Sequence, residues 1–257
     1  MTTNATSDSG SGSSGSGKYP LLGDALLQRR VEVVDLTREI FEGMPMWFGH
    51  QKTFINVNQT HDKFMEMHKT DMGFEAHNLL ISEHAGTHTD AVFEYDRNGP
   101  TIDKTPLAYY YGDAICIDVS HIQYPDFITV EVLETALAAS GLDIRQGDTV
   151  ILYSGVGDQH WPEESYTAQY PGLNRESAIW LAQQGVVNIG IDNVAIDHSD
   201  DATFAGHVVC GEYGIVNTES LTNLDKIAGK RFLYFGLPLL IREGTGSPIR
   251  AIAVLNV

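Results

Sequence analysis

Ser82-Glu83-His84-Ala85-Gly86-Thr87-His88-Thr89-Asp90-Ala91-Val92-Phe93-Glu94-Tyr95 is the stretch on which the reading of this chain turns. It follows the apolar run Leu79-Leu80-Ile81, and from His84 to Glu94 it carries two imidazoles and two carboxylates. Imidazole nitrogen with carboxylate oxygen is a donor set suited to zinc, manganese or iron. Backbone geometry decides whether these groups can meet. In a helix His84 and His88 share a face, but Asp90 points roughly 200° away from His88. In an extended chain every spacing is even, so His84, His88, Asp90 and Glu94 share one face. A straight strand, however, holds the alpha carbons of His84 and Glu94 roughly 33 Å apart. The chain therefore has to curl, and Gly86 between the histidines tolerates the backbone angles a turn needs. The sequence predicts a strand ending near His84, a glycine-assisted turn, and donors presented from a loop and the next strand. Taken in isolation, the same residues also suit a polar, solvent-facing strand and its turn.

The rest of the chain sets the bounds. Its 257 residues are enough for one sizeable core, and 42% hydrophobic with 9% aromatic residues is an ordinary globular composition. A formal net charge of -18 argues against nucleic acid or an anionic membrane as a partner, since both call for a basic surface. Cys116 and Cys210 lie in apolar segments without CxxC spacing, and both read as reduced core residues. The sharper alternative for Cys210 is a reactive nucleophile beside His207. The first seventeen residues lack the regions of a signal peptide, and no later apolar run has transmembrane length, so a cytoplasmic location is expected.

Residues 1–17 end in a Gly/Ser tract read as a flexible tail, leaving 18–257 as one domain. A helical turn at Leu21 to Arg29 and a strand at Val31 to Leu36 come next. The loop Gly43-Met44-Pro45-Met46-Trp47-Phe48-Gly49 is rich in large apolar groups, and Trp47 and Phe48 are candidate walls of a substrate pocket. Strands are expected at Ala114 to Val119, Val150 to Tyr153, Val187 to Ile191, Arg231 to Ile241 and Arg250 to Val257. The last two are joined by a turn at Glu243 to Pro248. Thr129 caps a helix running to Ser140 with Gly141 beyond it, and Asn174 caps another ending before Gly185. Strands outnumber helices and do not alternate with them regularly, which predicts a mixed α/β domain rather than a doubly wound one. Rossmann, P-loop and GxSxG fingerprints are absent.

Downstream, His207 and Glu219 stand twelve residues apart in Gly206-His207-Val208-Val209-Cys210-Gly211-Glu212 and the segment after it. Together with the opening stretch they resemble the cyclase family of metal-dependent hydrolases, which includes bacterial kynurenine formamidase and isatin hydrolase. The family signature is HxGTHxDxPxH, and His84 to Asp90 match its first seven positions. Asp35-Leu36, Gly43-Met44-Pro45, Tyr170-Pro171-Gly172-Leu173, Gly190-Ile191-Asp192 and Gly246-Ser247-Pro248-Ile249-Arg250-Ala251 resemble further family segments in order.

The resemblance implies a swivelling β/β/α fold and a divalent metal, zinc or manganese, held by His84, His88 and Asp90. Where a second ion is bound, it implies that Asp90, the last signature residue, His207 and Glu219 hold it. Val92 stands where the signature has proline and Glu94 where it has its last histidine. A carboxylate can take over either as ligand or as general base. The implied activity is hydrolysis of a small cyclic amide, lactone or formamide-type carbonyl compound, with Glu94 or His207 moving the proton. The alternatives are a metal-dependent cyclase, dehydratase or isomerase, and a non-catalytic metal- or ligand-binding protein. The resemblance also implies a homodimer or larger assembly. His50, His61, His68, His77, His121, His160 and His198 have no spacing that recruits them, although His50 and His198 could still reach a pocket, and Asp192 and Asp197 read as loop-holding residues.

Overall fold

Period-two alternation of side chains across a sheet explains where the two cores lie. In a computed structural model describing residues 31–255, β5 (Tyr111–Asp118) turns Ile115 and Ile117 to one face and Ala114 and Cys116 to the other. β6 (Thr149–Tyr153) does likewise with Val150 and Leu152 against Ile151. The first face is covered by α2 (Val130–Ser140), α4 (Arg175–Gln183) and α5 (Ala205–Tyr213), through Leu133, Leu181 and Val209. The opposite face packs on Leu36, Leu224, Ile227 and Tyr234.

β7 (Asn188–Ile191) and β8 (Val216–Glu219) extend β5 and β6 into a parallel run of four. Antiparallel strands flank it on both sides. Beyond β5 lie β9 (Arg231–Phe235), β11 (Ile252–Leu255) and β1 (Glu32–Asp35); beyond β8 lie β4 (His88–Asp90) and β10 (Gly246–Pro248). The order is β1-β11-β9-β5-β6-β7-β8-β4-β10, a single mixed sheet of nine strands. A separate ribbon pairs β2 (Phe54–Gln59) with β3 (Ala76–Leu80) around α1 (His61–His68). The short α3 (Val156–His160) follows β6.

The mixed α/β architecture is the one expected. Thr129 accepts a hydrogen bond from the Val132 amide at the start of α2, and Gly141 closes it in the left-handed conformation at φ +67°. Asn174 and Ser177 form a reciprocal capping box on α4. Three expectations need correction. The strand before His84 ends at Leu80 and belongs to the separate ribbon, where Leu79 and Leu80 are more exposed than buried. The strand from Arg231 stops at Phe235, since Gly236 and Pro238 follow and proline cannot donate to a ladder. The turn from Glu243 to Pro248 contains a strand, β10, which borders β4. The Gly/Ser tail and the helical turn at Leu21 to Arg29 lie outside the described residues.

Candidate metal centre

The site is built around β4, which is only three residues long and lies between two antiparallel neighbours. Its register sets His88 opposite Glu219 and Asp90 opposite Asn217 on β8, with Gly246 opposite Asp90 on β10. Alternation sends His88 and Asp90 to one face with Glu219 and Asn217. The chain curls at both ends of β4, as the length argument requires. Gly86 adopts φ +62°, and an added Cβ there would come within 3.2 Å of Ile40. Beyond the strand, Val92–Glu94 forms a 3-10 turn that folds Glu94 back over the face. The Thr87 hydroxyl accepts from the Arg38 amide and donates to the Ser220 carbonyl, which ties this curl to the end of β8.

The six residues singled out in the sequence, His84, His88, Asp90, Glu94, His207 and Glu219, come together here. His84 Nδ1 lies 2.7 Å from Asp90 Oδ1, and its Nε2 lies 3.5 Å from Glu94 Oε1 and 3.0 Å from the Thr245 hydroxyl. His88 Nδ1 is 2.8 Å from the Gly86 carbonyl, which can only accept. The proton of a neutral His88 therefore sits on Nδ1. This leaves Nε2 facing Asp90 Oδ1 and Glu219 Oε2, each 3.5 Å away; burial disfavours a charged ring, but Asp90 and Glu219 raise the His88 pKa and favour it. His207 comes from α5, with Nε2 3.4 Å from Glu219 Oε1 and 3.9 Å from Asp90 Oδ2. Its Nδ1 forms a short contact with Asp197 Oδ2, a carboxylate–histidine pair of the kind that orients metal-binding imidazoles.

Burial and crowding set the charges of these groups. Burial alone would push the Asp90 carboxyl up, but His84 and His88 beside it hold it well below the usual carboxylate range. Burial also disfavours a charged His207, yet Asp197 raises its pKa well above the ordinary value. Burial, reinforced by the Asp90 charge, pushes Glu94 up to about 9. Glu94 Oε2 is buried without a hydrogen-bond partner among the described residues. Such an oxygen is costly unless something binds it.

The donors present fit a divalent ion. Ligand atoms of His84, His88 and Asp90 lie within 4.8 Å of one another, and so do those of Asp90, Glu94 and His207. Mixed imidazole and carboxylate ligation matches zinc, manganese or iron, and the unpaired Glu94 oxygen is a ready donor.

Above this floor opens a cavity of about 310 Å³ walled by Trp47, Val194, Ala195, Phe204 and Val208. Trp47 thus lines the space, whereas Phe48 is 89% exposed and packs against Trp47 from outside it. His50, which the sequence offered only as a histidine able to reach a pocket, lines the cavity, and Asp197, read there as a loop-holding residue, is the partner of His207. Neither has a local spacing to give it away, because each reaches the site through tertiary folding. Cys210 is fully buried on α5, and burial pushes its thiol up to about 12, which removes the thiolate a nucleophile needs.

Residues 34–198 match the model of the cyclase family. The chain belongs to this family. It is 26% identical over 221 residues to a kynurenine formamidase of Bacillus cereus, covering 86% of this chain and 96% of that one. A kynurenine formamidase of Salinibacter ruber is likewise 26% identical over 223 residues. Among solved structures, isatin hydrolase A from Ralstonia solanacearum superposes with a TM-score of 0.81 at 22% identity, covering 98% of this chain and 100% of that one. An isatin hydrolase bound to the product analogue thioisatinate gives 0.79 at 23%, over 92% of this chain and 97% of that one. The curled β4 segment and its two flanking strands are therefore set in a cyclase-family fold.

Proposed function

We propose that this cyclase-family chain is a metal-dependent hydrolase that opens a small cyclic amide, lactone or formamide-type carbonyl compound. The observation that carries this reading is the gathering of His84, His88, Glu94, His207 and Glu219 on the floor of one cavity, with Asp90 buried against His84 behind them. The names of the relatives point the same way. His84, His88, Asp90 and Glu219 are the assigned ligands of a divalent ion, zinc or manganese. Asp90 and His207 lie where a second ion would find donors. When bound, the ion would polarise the substrate carbonyl and acidify a water molecule.

The chain's own residues supply the remaining parts. Glu94 has one free buried oxygen, and although burial keeps its carboxyl protonated in the metal-free protein, a cation bound beside it would favour the carboxylate, which takes a proton from the attacking water and returns it to the leaving group. His207, anchored by Asp197, is the second candidate for proton transfer, and its Nε2 faces Glu219 and Asp90. Trp47 and Phe204, with ring centroids 6.2 Å apart, give the cavity an aromatic wall suited to a flat or apolar substrate.

The experiment is a turnover screen of the zinc- and manganese-loaded enzyme across formamides, lactones and cyclic imides in water enriched in oxygen-18. One labelled oxygen in the product supports hydrolysis. Turnover without label would replace it by ring closure, dehydration or isomerisation. Metal uptake with no turnover on any class would favour a binding protein.

Assembly and location belong to the same proposal. Phe54, Val57, Leu79 and Leu80 on the β2–β3 ribbon are each more than half exposed, and this supports a homodimer or larger assembly. Light scattering of the purified protein tests it. Two free, buried cysteines suit a reducing cytoplasm, and among the described residues no helix is long and apolar enough to cross a membrane. Cell fractionation tests the location.

A further inference from the structure

His50 lies far in sequence from the residues that form the site floor, yet its ring lies over that of His84. The two centroids are 4.6 Å apart and the planes differ by 23°. The tight turn Trp47–His50 puts it there: the His50 amide donates to the Trp47 carbonyl at 3.0 Å. Gly49 makes the turn possible, since a Cβ at that position would lie 2.1 Å from the Trp47 ring. The Trp47 ring then flanks His50 on another side, with centroids 5.4 Å apart. The turn thus holds the imidazole in the cavity wall, and neither ring nitrogen has a hydrogen-bond partner among the described residues.

Facing it are His84, whose ring nitrogens meet Asp90 and the Thr245 hydroxyl, and Glu94, which has capacity to spare. A ligand atom from each of His50, His84 and Glu94 lies within 4.8 Å of the others, a third such cluster beside the two described above. Glu94 Oε2 is the buried oxygen without a partner among the described residues.

We propose that His50 is a ligand of the metal centre, supplied by the Trp47–His50 turn and joining His84 beside Glu94. The proposal rests on the metal-hydrolase reading and adds to it a nitrogen donor that the His84–Asp90 stretch does not contain. The consequence is a preference in metal. An extra neutral imidazole in place of water or a further carboxylate shifts the donor set towards nitrogen, which favours zinc over manganese.

The test uses the full-length protein stripped with chelator and reloaded with zinc, manganese or cobalt. Paramagnetically shifted imidazole N–H resonances of the cobalt protein count the ligated histidines without any substitution, and His50→Gln then shows whether one of them belongs to His50. The expected result is the loss of one shifted resonance with the others retained, and a fall in zinc affinity of about tenfold to a hundredfold. The fall should be larger for zinc than for manganese. Retention of every shifted resonance, with zinc affinity unchanged in His50→Gln, overturns the proposal even if turnover drops, and leaves the metal-hydrolase reading intact. A wild-type protein that takes up no metal overturns both. The retained resonances in the variant report that its site is still folded.

Discussion

His88 and Glu219 stand directly opposite each other in the β4–β8 ladder, with His88 Nε2 3.5 Å from Glu219 Oε2. Strand pairing therefore brings into contact two groups that the sequence shows only as members of separate motifs. Because both are buried beside Asp90, removing the imidazole strips compensation from two carboxylates at once. His88→Ala is expected to abolish stoichiometric metal binding. Without metal it should cost about 3–5 kcal/mol of stability at neutral pH, the usual effect of breaking a buried pair. Elemental analysis after dialysis and denaturant titration measure the two effects. Unchanged metal content in His88→Ala would remove the proposed centre.

Glu94 gives the metal-free protein a distinctive pH dependence. Its folded pKa is raised to about 9 from an ordinary value of 4.5, so across that window the folded state holds a proton that the unfolded state has lost. Stability contributed by this group therefore falls as pH rises from 4.5 to 9. Glu94→Gln, which cannot ionise, should be more stable than the wild type at pH 8 in chelator and should melt with a flatter pH profile. Thermal melts from pH 5 to 9 decide this; parallel profiles for the two proteins would count against a protonated Glu94.

Asp197 acts on the site through His207. One carboxylate oxygen holds His207 Nδ1, and the other accepts from the Gly206 amide at 2.6 Å at the start of α5. Asp197→Asn should lower metal affinity or turnover by about tenfold to a hundredfold, the usual result of losing an orienting carboxylate. A metal titration monitored by calorimetry measures the binding effect. Values equal to the wild type for both affinity and turnover would make Asp197 a loop residue only.

Gly246 is a close-approach position. A Cβ there would lie 2.8 Å from His84 Cε1 and 3.0 Å from the Thr89 carbonyl, so Gly246→Ala must displace either the imidazole or the β4–β10 ladder. A loss of about 1–3 kcal/mol, as for other overpacked sites, is expected together with weaker metal binding. Chemical denaturation and metal titration of the same variant report both.

Cys116 and Cys210 should resist thiol reagents in the folded protein, because burial raises both thiols and leaves almost no thiolate at neutral pH. Labelling by a chromogenic disulfide is expected only after denaturation. Rapid labelling of Cys210 in native buffer would reopen its reading as a nucleophile.

The sequence by itself determined where the capped helices run and singled out six residues, His84, His88, Asp90, Glu94, His207 and Glu219, that the fold brings together. Thr129 and Gly141 bound α2 through capping and a left-handed residue, effects that act within a few residues of the chain. The even spacing from His84 to Glu94, with Gly86 inside it, required a curled strand, and β4 with its 3-10 turn is one. Tertiary structure decided the rest. Residues 243–248 look like a turn because Gly and Pro dominate them, yet three of those residues pair with β4 and set Gly246 against His84. Asp197 and His50 carry no local signal, since their meeting with His207 and His84 depends on how α5 and the Trp47–His50 turn pack against the sheet edge. Capping, periodicity and backbone tolerance are short-range properties. The electrostatic surroundings of Glu94 and the partner of each imidazole arise from contacts between segments far apart in the chain, and only folding brings those segments together.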